Sequence, residues 1–369
     1  MHIVVGAGLA GAVIAERIAN VLAGEVLVIE RRDHIGGNLY DYRNECGITV
    51  HKYGPHAFHT RRPRVWEYLS RFTHWQPYFH QVHAVIDGRE VPIPFNLNSL
   101  YQTFSPERAT RLEQLLLDHF SHGASVSIFR LRRSKDPDLK LLGDCIYEKV
   151  FLGYTVKQWG RVPEELDPSV VDRVPVRISR NDNYFEDPYQ AIPACDYTAM
   201  LANLLDHPRI HVQLCTDFKD IKAETRCTSV IYTGQLDEFF DFRFGVLPYR
   251  SVEFELATYN RPFCQTVAQV NYPNECDFTR ITEFKHFLGE DVPRTTVAYE
   301  YSQEHRIGEN EPFYPVPGIE SDQLSGMYKR LSVFTPNTLF LGRLGQYSYL
   351  NMDEVVDRAL HLFETEIMR

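Results

Sequence analysis

Residues 3–30 read IVVGAGLAGAVIAERIANVLAGEVLVIE. An apolar run, Ile3 to Val5, predicts a strand that leads into Gly6-x-Gly8-x-x-Gly11. A helical stretch follows, and a second apolar strand, Val26 to Ile29, ends in Glu30. Each part has a physical role. Gly6 permits a tight turn, Gly8 lets backbone approach a pyrophosphate, and Gly11 lets the helix pack close to the sheet. The helix N-terminus then offers N–H groups and the positive end of its dipole to phosphates. Glu30 lies nineteen residues after Gly11, where a carboxylate can accept ribose hydroxyls. A lone glycine motif is a weak signal. Set between two strands, with the acid at that distance, it predicts a Rossmann-like dinucleotide site.

The next block is RRDHIGGN, Arg31 to Asn38. A paired glycine after the second strand resembles flavin enzymes of the glutathione reductase and amine oxidase kinds, which favours FAD over NAD. Gly36 and Gly37 let backbone approach a cofactor without a Cβ clash. Near the far end, TLFLGRLGQYSYLNMDEVVDRAL (residues 338–360) gives a strand, Gly342-Arg343, a loop and an amphipathic helix starting near Met352. A helix N-terminus there can face the pyrimidine end of a flavin. Arg343 reads either as a pyrophosphate partner or as a surface ion-pair residue.

The chain has 369 residues, 44% hydrophobic and 24% charged, an ordinary globular balance. Its net charge of −10 argues against general affinity for nucleic acid or anionic membrane. Seven cysteines without a C-x-x-C read as reduced thiols of a cytoplasmic protein. The apolar first fifteen residues lack a charged n-region and hold the complete glycine motif, so they do not read as a signal peptide. No apolar run reaches the roughly 18 residues of a membrane span.

Between the two cofactor segments, SPERATRLEQLLLDHF has Ser105 as N-cap and Pro106 at the first helical position. The basic run Arg130, Arg132, Arg133 and Lys135 reads as a solvated face. SVEFEL and TVAYEYS read as strands. The expected architecture is α/β. A discontinuous Rossmann-like FAD-binding domain comprises residues 1–75, 190–245 and 325–369. A helical domain is inserted at 96–165, and an antiparallel β-sheet substrate domain comprises 76–95, 166–189 and 246–324.

Several long strings carry a closer resemblance: HIGGN (34–38), HKYGPHAFHT (51–60), PFNLN (94–98), GYTVKQWGR (153–161), RVPVR and DNYF within 173–185, IYTG (231–234), DFRFGVLPYRS (241–251), TRITEFKHF (279–287) and PFYPV (312–316). In this order they resemble the bacterial UDP-galactopyranose mutases along nearly the whole chain. The resemblance implies an isomerase that interconverts UDP-galactopyranose and UDP-galactofuranose. It implies FAD, active when reduced, acting through a covalent flavin N5–galactose adduct without net redox change. It also implies a homodimer.

The resemblance further assigns residues. Gly6, Gly8, Gly11, Glu30, Gly37, Asn38, His56, Arg343 and Met352 hold the cofactor. Tyr154 stacks on or flanks the uracil, with Thr155 and Trp159 nearby, and Trp159 is carried on a mobile loop. Arg173, on a lid, and Arg280 bind the diphosphate, for which guanidinium forks are suited. Tyr184, Tyr314 and Tyr349 donate hydroxyls to it. Arg250 and Glu300 lie near flavin and sugar. Arg173, Arg280, His56 and His59 act in catalysis, the two histidines against the flavin. From residue types alone, the tyrosines and Trp159 read as core aromatics rather than as ligand contacts. His56-x-x-His59 has no second ligand pair at a diagnostic spacing, so no metal is expected. Many relatives carry an acid where this chain has Asn351, which still matches a substrate-binding position. The competing readings are an FAD-dependent oxidoreductase of the amine oxidase or desaturase type and a catalytically silent nucleotide-sugar or FAD-binding protein.

Overall fold

The computed structural model describes residues 1–166, 174–221 and 228–368. The chain divides into two compact units. The first comprises Met1–Tyr78, Asp187–Tyr249 and His305–Arg369, and the second Phe79–Glu186 and Arg250–Glu304.

The first unit is built on a five-stranded parallel sheet. Its order is Ile210–Gln213, Val26–Ile29, His2–Val5, Ser229–Tyr232 and Thr338–Phe340. The central strand pairs in register on both sides, Val4 with Val28 and with Ile231. Val4, Val28 and Ile231 are fully buried, as expected of central parallel strands covered on both faces, whereas the edge strand Ile210–Gln213 leaves His211, Val212 and Gln213 exposed. The helix Leu9–Leu22 buries Ala12, Val13, Ile14, Ala15 and Ile18 completely, and it packs against the sheet and against the last helix, Met352–Leu362. Gly11 is required here. A Cβ at that position would lie 2.0 Å from the Gly6 carbonyl oxygen. A smaller antiparallel sheet orders Phe58–Thr60, Tyr189–Pro193 and Trp75–Pro77.

The second unit has a mostly antiparallel sheet, with neighbours in the order Tyr249–Tyr259, Thr295–Glu304, Arg280–Glu283, Gln269–Asn271, Val82–Ile86 and Arg89–Ile93. The last two strands form a hairpin turning at Asp87-Gly88, both with positive φ, the chemistry that two-residue hairpin loops require. Helices Leu97–Thr103, Pro106–His119, Ile128–Arg132 and Pro137–Ile146 surround one apolar cluster that includes Leu100, Leu112, Leu131 and Leu142. Ser105 caps the second of these and Pro106 opens it. In the basic run, Arg132 pairs with Asp144 and Glu164. After Ile146 the helix continues through a π stretch, Tyr147–Leu152, into the α-helix Gly153–Trp159.

The architecture is mixed α/β with a Rossmann-like domain, as expected. Among the described residues, no helix is long and apolar enough to cross a membrane. The six described cysteines are unbridged, and Cys227 lies outside the described residues.

Candidate functional site

The glycine motif opens onto a groove of the first unit holding about 1230 Å³ of empty space, part of it open to solvent. Gly6, Gly8, Glu30, Gly37, Asn38, His56, Arg343 and Met352 all line it. Gly11 does not; it lies behind the wall, where it admits the Gly6 carbonyl. The two glycine turns touch each other. A Cβ on Gly37 would come 2.9 Å from the Gly8 Cα, so the wall is bare backbone at the point where a pyrophosphate needs close approach.

Glu30 is buried, and its carboxylate organises the turn: Ala7 N–H donates to Oε2 at 2.9 Å and Arg32 N–H to Oε1 at 3.0 Å. Each oxygen has a further lone pair with which to accept a ribose hydroxyl. Arg32 donates to Asn38 Oδ1 at 3.1 and 3.2 Å, which orients that amide. Glu311 accepts from both Arg31 and Arg32, at 2.5 and 3.0 Å. Burial alone would raise the Glu311 carboxyl, but the two arginines outweigh it and hold it below the usual range. The arginines of this rim, and Glu311, were not among the expected cofactor residues. Their pairing spans about 280 positions, beyond the reach of any spacing rule.

Among the first unit's other candidates, His56 donates its backbone N–H to His51 Nδ1 at 3.1 Å. His51 is fully buried, and desolvation lowers its pKa from 6.5 to about 3, so it is a neutral acceptor. His59 Nδ1 lies 2.7 Å from Asp187 Oδ2, and Arg61 donates to the other carboxylate oxygen at 2.7 Å. Burial would raise Asp187, but these two partners prevail and lower it. His59 itself does not line the groove. Arg343 donates to the Leu350 carbonyl at 2.7 Å and to that of Phe313 at 3.4 Å. Its guanidinium also lies over the rings of Tyr314 and Tyr349, at 5.3 and 5.4 Å. Those rings are 5.5 Å apart, so one cation orders both tyrosines. Asn351 is the N-cap of the last helix in a reciprocal capping box with Glu354, whose Oε2 accepts the Asn351 N–H at 2.8 Å.

The remaining candidates belong to the second unit, except that Arg173 lies outside the described residues. Tyr154, Thr155 and Trp159 share the Gly153–Trp159 helix, with Thr155 and Trp159 buried and Tyr154 half-buried. Arg280 and Glu300 oppose each other on neighbouring strands and form an ion pair at 2.6 Å. Tyr184 packs against His80 and Phe185. Its carbonyl accepts from buried Arg177 at 2.8 Å. Arg250 donates Nε to the Gln158 carbonyl at 2.9 Å and Nη2 to that of Lys157 at 3.1 Å. Lys157 in turn donates to the carbonyls of Tyr272, Cys276 and Phe278. Arg177, Lys157 and Asp187 were not predicted as parts of a site. Each acts on backbone or on another side chain, which leaves no mark in local sequence.

The sequence profile of the GLF family, UDP-galactopyranose mutase, matches residues 149–349, and that of an NAD(P)-binding Rossmann-like domain matches 4–72. A Klebsiella pneumoniae protein named "Probable UDP-galactopyranose mutase" is 38% identical over 365 residues, covering 97% of this chain and 92% of its own. An Escherichia coli dTDP-fucopyranose mutase is 34% identical over 369 residues, covering 97% and 96%. A crystal structure of reduced UDP-galactopyranose mutase superposes with a TM-score of 0.74 at 15% identity, covering 98% of this chain and 93% of that one. The profile match over more than half the chain and the near full-length identity to these relatives lead to one conclusion: this chain belongs to the UDP-galactopyranose mutase family and is an isomerase.

Proposed function

We propose that the chain interconverts UDP-galactopyranose and UDP-galactofuranose, with FAD in the glycine-walled groove of the first unit. The observation that carries the reading is the conjunction of that groove with a family match over 149–349, the span that holds Tyr154, Arg280 and Tyr349. The groove fits the cofactor: bare backbone at Gly8 and Gly37 for the pyrophosphate, and Glu30 for the ribose. Reduced flavin, when bound, supplies through N5 the nucleophile for the anomeric carbon, and no net redox change results.

The chain's own residues have to keep UDP in place while the sugar ring is rebuilt. Arg280 and Arg173 neutralise the diphosphate, and each charge-assisted hydrogen bond contributes roughly 1.5–3 kcal/mol. Tyr184, Tyr314 and Tyr349 donate hydroxyls to the same oxygens. Tyr154 offers a flat face to the base, beside Thr155 and Trp159. Retaining the departed nucleotide makes its return unimolecular, an advantage of about 7–11 kcal/mol for well-oriented groups. His56 and His59 order the sugar side.

The test is dithionite reduction of the holoenzyme, followed by chromatographic separation of the two sugar-ring forms. Conversion of UDP-galactofuranose to the pyranose by the reduced protein supports the reading. Net substrate oxidation with flavin bleaching, or UDP binding without isomerisation, overturns it. A second reading, the same ring exchange on a deoxythymidine diphosphate sugar, is favoured by the E. coli relative's name. It predicts a higher kcat/KM on the dTDP sugar in a parallel assay.

A further inference from the structure

The Gly153–Trp159 helix is held from outside itself. The six-residue π stretch Tyr147–Leu152 precedes it, an interruption of the α ladder of a kind found frequently at functional sites. The first turn lies against the loop of residues 272–278. A Cβ on Gly153 would come 2.3 Å from the Pro273 carbonyl oxygen and 2.5 Å from Asn274 Oδ1. Lys157 fastens the same loop from the last turn, donating to Tyr272 O at 2.7 Å, to Phe278 O at 3.4 Å and to Cys276 O.

The other side of the last turn is held by Arg250. The final carbonyls of a helix have no partner within it, and a cation there also meets the negative end of the dipole. Arg250 supplies both, through Nε to Gln158 O at 2.9 Å and Nη2 to Lys157 O at 3.1 Å. The helix ends at Gly160, which has a φ of +68° and lies against this guanidinium: a Cβ there would sit 3.3 Å from Nη1. Arg250 comes from the strand Tyr249–Tyr259, and its cross-strand partner is Glu304. Burial lowers the guanidinium pKa despite the attraction of Glu304, as expected of a cation whose main solvation is backbone oxygen.

We propose that Arg250 is a positioning residue for nucleotide binding: it clamps the last turn of the Gly153–Trp159 helix and so sets Tyr154, Thr155 and Trp159 against the base of a nucleoside diphosphate. This rests on the assignment of those three side chains to the base. It differs from a role at flavin or sugar, which the family resemblance implies for Arg250. Loss of the clamp weakens ground-state and transition-state binding together, so KM rises by a larger factor than kcat falls.

The experiment uses FAD-loaded protein carrying Arg250→Gln, Arg250→Lys, Tyr154→Ala, or Arg250→Gln with Tyr154→Ala. UDP affinity is measured by titration, and kcat and KM with the reduced enzyme. Arg250→Gln is expected to weaken UDP about ten- to a hundredfold, the size of about one lost charge-assisted hydrogen bond. Arg250→Lys, with one ammonium for two carbonyls, should recover part of that. The double variant should lose less than the product of the single losses, because Arg250 acts through the helix that carries Tyr154. Unchanged UDP affinity in Arg250→Gln, while Tyr154→Ala weakens it, overturns the clamp. A fall in kcat with a changed flavin spectrum at intact UDP affinity also overturns it, and returns Arg250 to the flavin. Unchanged UDP affinity in Tyr154→Ala instead overturns the base-site assignment beneath the proposal. If Arg250→Gln does not fold, the same comparisons are read from Arg250→Lys.

Discussion

Arg280 and Glu300 stand directly opposite each other on adjacent antiparallel strands, with Arg280 Nε 2.6 Å from Glu300 Oε2. Glu300 is only 2% exposed. Its backbone carbonyl also accepts from Thr279 N–H and Oγ1, at 2.7 and 2.9 Å. The Glu300 backbone is thereby anchored, and its buried carboxylate holds the guanidinium through one of the five N–H donors that arginine has. The sequence resemblance set Glu300 near flavin and sugar; its observed contact is with the arginine proposed to bind diphosphate.

Removing that carboxylate should therefore act on the arginine. Glu300→Gln keeps the shape and removes the charge, so kcat/KM is expected to fall about ten- to a hundredfold, equivalent to roughly 1.5–3 kcal/mol. Arg280→Ala should lower turnover further, with FAD content unchanged in both variants. Near-native kcat/KM in Arg280→Ala would refute the diphosphate role.

The buried His51 makes stability depend on pH. Its folded-state pKa is about 3 against an ordinary 6.5, because burial penalises the cation. Between those values the unfolded chain binds a proton that the native chain does not, so stability rises with pH across the window and falls as pH drops from 6.5 toward 3. The slope from one such group is about 1.4 kcal/mol per pH unit. His51→Asn offers an amide oxygen to the His56 N–H in place of Nδ1. Urea unfolding at pH 7 and pH 5 should show a smaller loss of stability in this variant than in the parent; equal losses would count against His51 as the source.

Gly37 has a φ of +55°, and a Cβ added there would stand only 2.9 Å from the Gly8 Cα. Gly37→Ala is expected to force the two turns apart, destabilise the unit by about 1–3 kcal/mol and reduce the flavin-to-protein absorbance ratio. Gly88→Ala is the control. It has a φ of +75° but nothing within 4 Å of its absent Cβ, so it adds backbone strain without touching the groove and should keep its flavin.

Asn351 caps the last helix through its box with Glu354, and aspartate caps about as well as asparagine. Asn351→Asp should thus leave the melting temperature within about 2 °C, a stability change within about 0.5 kcal/mol. If a negative charge at this position serves the sugar, kcat/KM rises in the variant. An unchanged value identifies the capping amide as sufficient.

Much of the cofactor half was legible because its signals are local. The strand, the glycine turn and Glu30 lie within thirty residues, and the backbone geometry each glycine permits is a property of that residue alone. The tyrosine, tryptophan and arginine positions were legible only through resemblance, because a buried aromatic and a ligand-binding aromatic have the same composition. Their supports were not legible at all. Arg250 reaches Gln158 across 92 positions, Lys157 reaches Cys276 across 119, and His59 reaches Asp187 across 128.

By itself, then, the sequence determined which backbone turns could approach a phosphate, where the Rossmann-like strands and helices begin, and to which family the chain belongs. Only the tertiary structure decided what the charged side chains hold. Arg250 and Lys157 grip helix and loop carbonyls, Glu300 grips Arg280, and Asn351 caps a helix. The physical reason is range. A turn's conformation depends on neighbours a few bonds away, whereas a charged side chain is committed by whichever partner the folded chain brings within about 3 Å, and that partner has no fixed distance along the sequence.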